Sequence, residues 1–176
     1  MESVHYFMDV KLQGAELEAG AGLLEVEGLS KCFGRSPALR EVSFDVRPGE
    51  IVGFVGPNGA GKSTTFRIIC GLLRASSGTV RMNRFDVRDR PLEFRESLGA
   101  LLEAPGYYPG LTATQHLEFV ARTRGCDQKL IFRVLEEVGL AAGSRKRVSQ
   151  FSLGMKQRLG IAMALMHGPK LLVLDE

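Results

Sequence analysis

The sequence predicts an α/β fold with a parallel core sheet, on three observations. Two short apolar runs, Ile51-Val52-Gly53-Phe54-Val55 and Leu171-Leu172-Val173-Leu174, have the composition of strands buried on both faces. A glycine-rich turn follows the first run, and a helical apolar period follows the turn. Strand-like and helix-like stretches alternate at both ends of the chain, the order expected when crossover helices join parallel strands.

In chain order, residues 1–22 end in Ala19-Gly20-Ala21-Gly22 and read as a tail outside the core. Leu23 to Glu27 and Val42 to Val46 alternate apolar with polar residues, as half-buried strands do. Pro48-Gly49 marks a turn before the first buried run. After the glycine turn, Phe66, Ile69, Cys70 and Leu73 form one helical face, ended by Ser76-Ser77-Gly78. Thr79 to Met82 and Leu98 to Leu102 are short strand candidates. Two prolines and two glycines interrupt residues 104–110 and exclude regular structure there. Thr112 and Gln115 have capping-box spacing, with Leu117, Val120 and Ala121 on the helical face that follows. Ile131, Val134, Leu135 and Val138 mark a second amphipathic helix. Leu153 to Met166 is apolar nearly all round, which predicts a largely buried helix ended by Gly168-Pro169.

The bulk numbers narrow the class. With 176 residues, 44% of them hydrophobic, the chain suits one globular domain with a core. Its 23 basic and 20 acidic residues are interspersed and leave a charge of +3, too mild to argue for a nucleic-acid partner. Cys32, Cys70 and Cys126 are scattered, which suggests buried reduced thiols and neither a disulfide framework nor a zinc site. No run of about 18 apolar residues spans a membrane, and the first residues lack the pattern of a secretory signal.

The chemistry begins at Gly56-Pro57-Asn58-Gly59-Ala60-Gly61-Lys62-Ser63-Thr64, a full match to the phosphate-loop pattern in a strand–loop–helix setting. Such a loop aims backbone N–H groups at an anion, and the helix start adds its dipole. Lys62 is placed to reach β- and γ-phosphates, and Ser63 to put its hydroxyl on Mg²⁺.

Four further segments carry a resemblance: Lys31-Cys32-Phe33-Gly34, Leu98 to Leu117, Phe151-Ser152-Leu153-Gly154-Met155-Lys156-Gln157-Arg158, and Leu171 to Glu176. With the phosphate loop they make residues 23–176 resemble the ATP-binding subunit of an ABC transporter. The resemblance implies a P-loop NTPase of the ABC type: a parallel core sheet, a small antiparallel β part and a helical subdomain at about 104–160. Phe33, which by itself reads as a core residue, takes the place where an aromatic ring stacks on adenine. Ser152 and Gly154 match the signature that holds the γ-phosphate of an opposite subunit. Leu153 and Met155 depart from its usual Gly and Gln, and Ser152 serves equally as a helix cap. Asp175 is similar to the Walker B magnesium ligand and Glu176 to the general base or water-orienting group. Glu103 stands where the family usually has a magnesium-contacting glutamine, a substitution similar to that of the bacitracin and lantibiotic branch.

The function so implied is ATP binding and hydrolysis with Mg²⁺, powering export of a peptide antibiotic, lipid or drug-like substrate. The implied partners are a multi-span permease and a second ATP-binding subunit, on the cytoplasmic face of the membrane, with no nucleic acid. The family continues past the Walker B glutamate with a histidine switch that His5, His116 and His167 do not match, so the chain reads as C-terminally truncated and inactive alone. The alternatives are a soluble ABC-type ATPase outside transport, or a remnant that binds ATP without turnover.

Overall fold

The computed structural model describes residues 22–102 and 106–175, in two compact units that part between Arg95 and Glu96. The expectations for the tail, Glu103 and Glu176 lie outside the described residues.

The first unit is built on an antiparallel sheet. β1 (Leu24–Phe33) pairs with β2 (Ser36–Val46) on one side and β3 (Ser77–Met82) on the other, and β4 (Phe85–Asp86) adds to β3. Leu24, Val26 and Leu29 are buried while Glu27 is exposed, which gives β1 one core face and one wet face. Asn83 and Arg84 form the two-residue turn between β3 and β4, both at positive φ (49° and 69°), the conformation that matches strand twist in a tight hairpin.

α1 (Lys62–Ile69) is shorter than its apolar period predicts. Gly71, at φ 69°, turns the chain out of the helix. The Gly71 N–H donates to Ile68 O at 2.9 Å and the Leu72 N–H to Arg67 O at 2.8 Å, the closure of a Schellman end. The buried face is consequently Thr65, Ile68 and Ile69; Phe66 and Leu73 are half-buried.

The expectation of a buried strand at 51–55 is overturned. Only Val52 carries a bridge, and Ile51, Gly53 and Val55 are exposed. An apolar run becomes a strand only where a neighbour supplies the ladder, and no ladder reaches this run among the described residues. Ring contacts hold it instead: Phe54 lies edge-on to Phe44 at 4.7 Å and to Phe66 at 5.4 Å between centroids.

α2 (Pro91–Ser97) spans the junction. In the second unit β5 (Leu98–Leu101) and β6 (Leu171–Leu174) pair in parallel, in register from Leu98↔Leu171 to Leu101↔Leu174. The parallel expectation holds here, but burial on both faces does not. Leu171 and Val173 are buried, whereas Leu172 and Leu174 are 36% and 45% exposed.

α3 (Ala113–Arg124), α4 (Leu130–Glu137) and α5 (Leu153–Leu165) share one core that includes Leu117, Val120, Leu135, Leu159 and Met166. Eight-residue α4 is too short to hold by itself in water. Burial of Ile131, Val134 and Leu135, at about 1.5–3 kcal/mol each, is what secures it. Arg158 of α5 donates to Gly139 O just past the α4 end, at 3.2 Å. α5 is not buried all round as its composition predicts: Leu159 and Ala162 face the core, but Leu153 is 75% exposed. The thiols also differ from expectation, with Cys70 buried, Cys126 half-buried and Cys32 exposed.

Candidate functional site

The phosphate loop lies in the first unit. Gly56, Pro57, Asn58, Gly59 and Ala60 are exposed, and the turn closes through the Ala60 N–H to Pro57 O at 3.1 Å. Gly61 opens α1 in the left-handed region at φ 91°, with no side-chain cap on the helix start. A Cβ at Gly61 would lie 2.3 Å from Leu39 Cδ2 and 2.7 Å from Ala38 O, so only glycine lets the loop press onto β2. The first α1 turn contains no acidic residue. Its free N–H groups, helix dipole and Lys62 together form a positive end suited to phosphate. The Lys62 ammonium is held over the loop by Gly56 O at 2.8 Å and Pro57 O at 3.2 Å. Ser63 is exposed and Thr64 half-buried. Thr65, which the motif does not include, is buried and donates its hydroxyl to Gly61 O at 3.0 Å, bracing the glycine that starts the helix.

Phe33 belongs to the same frame. It ends β1, opposite Ser36, and two residues earlier Lys31 pairs with Leu39, the residue under Gly61. Phe33 is 53% exposed, which removes the core reading and leaves a ring face available. The Lys31 ammonium lies 5.1 Å from the Phe33 ring centroid. It also donates to Arg74 O at 2.8 Å, in the turn that follows α1. Sequence reasoning missed this contact, although a lysine two positions before an aromatic on a strand shares its face.

The remaining candidates lie in the second unit. Asp175 follows β6 and stays in register, its N–H donating to Leu101 O at 2.8 Å. Ser152 caps α5 by accepting the Met155 N–H at 3.3 Å, and a Cβ at Gly154 would meet nothing within 4 Å. Tyr107 donates its hydroxyl to Lys156 O at 2.5 Å, tying the Pro/Gly loop to the first turn of α5. Glu103 and Glu176 lie outside the described residues, so Ser152, Gly154 and Asp175 are the candidates that the second unit presents.

For a metal, the described residues contain no cluster of three or more His, Cys, Asp or Glu. The donors at hand, the Ser63 hydroxyl and the Asp175 carboxylate, are hard oxygens. Each, Ser63 in the first unit and Asp175 in the second, is a donor of the kind that Mg²⁺ takes.

The two described histidines, His116 and His167, serve the scaffold. Buried His116 holds Thr112 O through Nδ1 at 2.9 Å and accepts the Tyr108 N–H on Nε2 at 3.0 Å. His167 donates from Nε2 to Leu98 O at 3.0 Å. Burial holds its pKa below the ordinary histidine value; nearby Arg124 adds to this and the Leu98 bond opposes it.

Comparison with known proteins gives the family. The family model described as ABC transporter matches residues 39–176. An uncharacterised ABC transporter ATP-binding protein of Bacillus subtilis, YdbJ, is 44% identical over 88% of this chain and 50% of its own length. The bacitracin transport ATP-binding protein BcrA of Bacillus licheniformis is 41% identical over 88% of this chain and 51% of its own. A solved ATP-binding subunit of an ABC transporter superposes with a TM-score of 0.74 at 35% identity, over 88% of this chain and 66% of that one. This chain thus spans about half the length of the curated relatives it matches. With the glycine loop, the signature segment and the β6 carboxylate all within the matched stretch, the chain belongs to the ABC transporter family.

Proposed function

We propose that this chain binds and hydrolyses Mg-ATP to drive an ABC transporter, docked on the cytoplasmic face of a membrane against a multi-span permease. The observation that carries the reading is the start of α1: an uncapped helix N-terminus at Gly61, with Lys62 above it, pressed onto β2, the neighbour of the strand that ends at exposed Phe33. Gly56 to Thr64 cradle the phosphates, and Phe33 carries the base. Ser63, Asp175 and Glu103 supply oxygens to magnesium, which neutralises charge on the β- and γ-phosphates when bound. Glu176 orients or deprotonates the attacking water.

Ser152 and Gly154 complete the site of a second ATP-binding subunit, so one chain alone turns over slowly. The transition-state donors come from the partner, and losing one such donor costs on the order of a hundredfold or more in rate. Likeness to a bacitracin transport protein supports a peptide antibiotic as cargo. No described helix is long and apolar enough to cross a membrane, which fits a subunit docked on a permease.

The test is titration with a fluorescent ATP analogue and Mg²⁺. Lys62→Ala is expected to abolish binding, because a charge-assisted contact to phosphate is worth at least about 1.5–3 kcal/mol. Wild-type affinity in Lys62→Ala would overturn the reading.

A further inference from the structure

We propose that Lys31 is a positioning residue of the nucleobase platform: it covers one face of Phe33 and so fixes the ring with its other face open to the base. The inference rests on the reading of Phe33 as the base-stacking residue.

A phenylalanine has no hydroxyl to anchor it, and at 53% exposure little packing restrains this ring. The Lys31 ammonium provides the restraint. It lies 5.1 Å from the ring centroid, within reach of a cation–π contact. It is itself held by Arg74 O at 2.8 Å. The backbone around it is pinned as well. The Cys32 N–H donates to Ser76 Oγ at 3.0 Å, and the Ser76 N–H donates to Ser30 O at 2.9 Å.

The arrangement links both ends of the phosphate-binding helix to one platform. α1 begins at Gly61, against Ala38 and Leu39 of β2. The segment after α1 returns to place Arg74 O on Lys31, which pairs with Leu39 across the ladder. A cation on one face also draws electron density from the ring. That reduces the face-to-face repulsion that an electron-rich base meets on the other side.

The experiment titrates this chain with ATP, GTP and inorganic tripolyphosphate, each with Mg²⁺, for wild type and four variants. Lys31→Met removes the charge and the donor. Lys31→Gln keeps a donor for Arg74 O but removes the charge, so the test survives if the methionine variant does not fold. Lys31→Arg keeps both, and Phe33→Ala removes the ring. The charge-free variants are expected to weaken ATP and GTP alike by about three- to tenfold and leave tripolyphosphate unchanged. Lys31→Arg should bind like wild type, and Phe33→Ala should lose at least as much as Lys31→Gln. Unchanged ATP affinity in Phe33→Ala removes the stacking reading and this inference with it. Weakening by Phe33→Ala but not by Lys31→Gln leaves the stacking reading standing and overturns the role of Lys31. Equal loss of tripolyphosphate in Lys31→Gln also overturns it, making Lys31 a general phosphate attractor or a fold element.

Discussion

α1 and α3 begin in opposite ways. α3 opens on a complete capping box: the Thr112 hydroxyl accepts the Gln115 N–H at 3.2 Å, and the Gln115 side chain accepts the Thr112 N–H at 2.9 Å. α1 opens on Gly61 with no side-chain cap. The unpaired N–H groups of a helix start need a partner. Where the chain supplies one, the end is structural; where it leaves them bare beside a lysine, the end is suited to an anion. α5 falls between them, with a serine cap at 3.3 Å and a first turn exposed at Leu153 and half-buried from Gly154 to Lys156. Ser152 is exposed where Thr112 is half-buried, so water or a phosphate oxygen competes more readily for its bond.

The strongest way to break this contrast is Gly61→Ala. The substitution forces a side chain into φ 91° and drives its Cβ to 2.7 Å from Ala38 O. The backbone strain alone costs about 1–3 kcal/mol. Loss of nucleotide binding and a lowered melting temperature are expected, and a variant that keeps both would show that the loop does not need this contact.

A sharper comparison pairs Thr112→Ala with Ser152→Ala. Removing Thr112 should cost about 1 kcal/mol in chemical denaturation, a typical cap loss. Removing Ser152 should cost roughly half that, at the low end for caps. Neither should alter ATP affinity of the lone chain. If Ser152→Ala weakened that affinity, α5 would act within its own chain, and its proposed role toward a partner would fall.

The smallest expected effect is a pH dependence in the second unit. Burial lowers the His167 pKa, so the fold favours the neutral ring. That contribution is fully present above the ordinary histidine pKa and is lost as pH falls through the depressed value. Thermal stability should therefore decline on the acid side of neutrality, and His167→Gln should flatten this decline. An unchanged profile in the variant would assign it to other groups.

What was legible in the sequence was local. The Thr112–Gln115 box, the glycine turn and the buried positions of α3 and α4 depend on residues within a few positions of one another, and they formed as read except that Val138 falls past the α4 end and is half-buried. The misreadings depend on distant partners. Ile51–Val55 and Leu171–Leu174 look alike in composition, yet among the described residues only the second forms a parallel ladder, with β5. The exposure of Leu172 and Leu174 likewise depends on what covers the sheet, which strand composition does not encode. The α1 end was misread differently: apolar spacing ran through Gly71 to Leu73, and the glycine decided the boundary. At the site, the glycine turn and the helix start at Gly61 were legible from the motif, while the strand expected before them was not. The Lys31–Phe33 contact was not, because the Arg74 carbonyl that fixes it lies 43 residues away.

The thiols of the first unit differ sharply in the rate at which they should be alkylated. Only the thiolate attacks an alkylating reagent. Cys70 is buried with its pKa pushed up to about 12, so it is almost wholly protonated at neutral pH. Cys32 is exposed and is the immediate neighbour of Phe33 on β1. Alkylation at Cys32 therefore runs well ahead of Cys70, and because neighbouring side chains on a strand point to opposite faces, a label on Cys32 marks β1 while leaving the Phe33 ring uncovered.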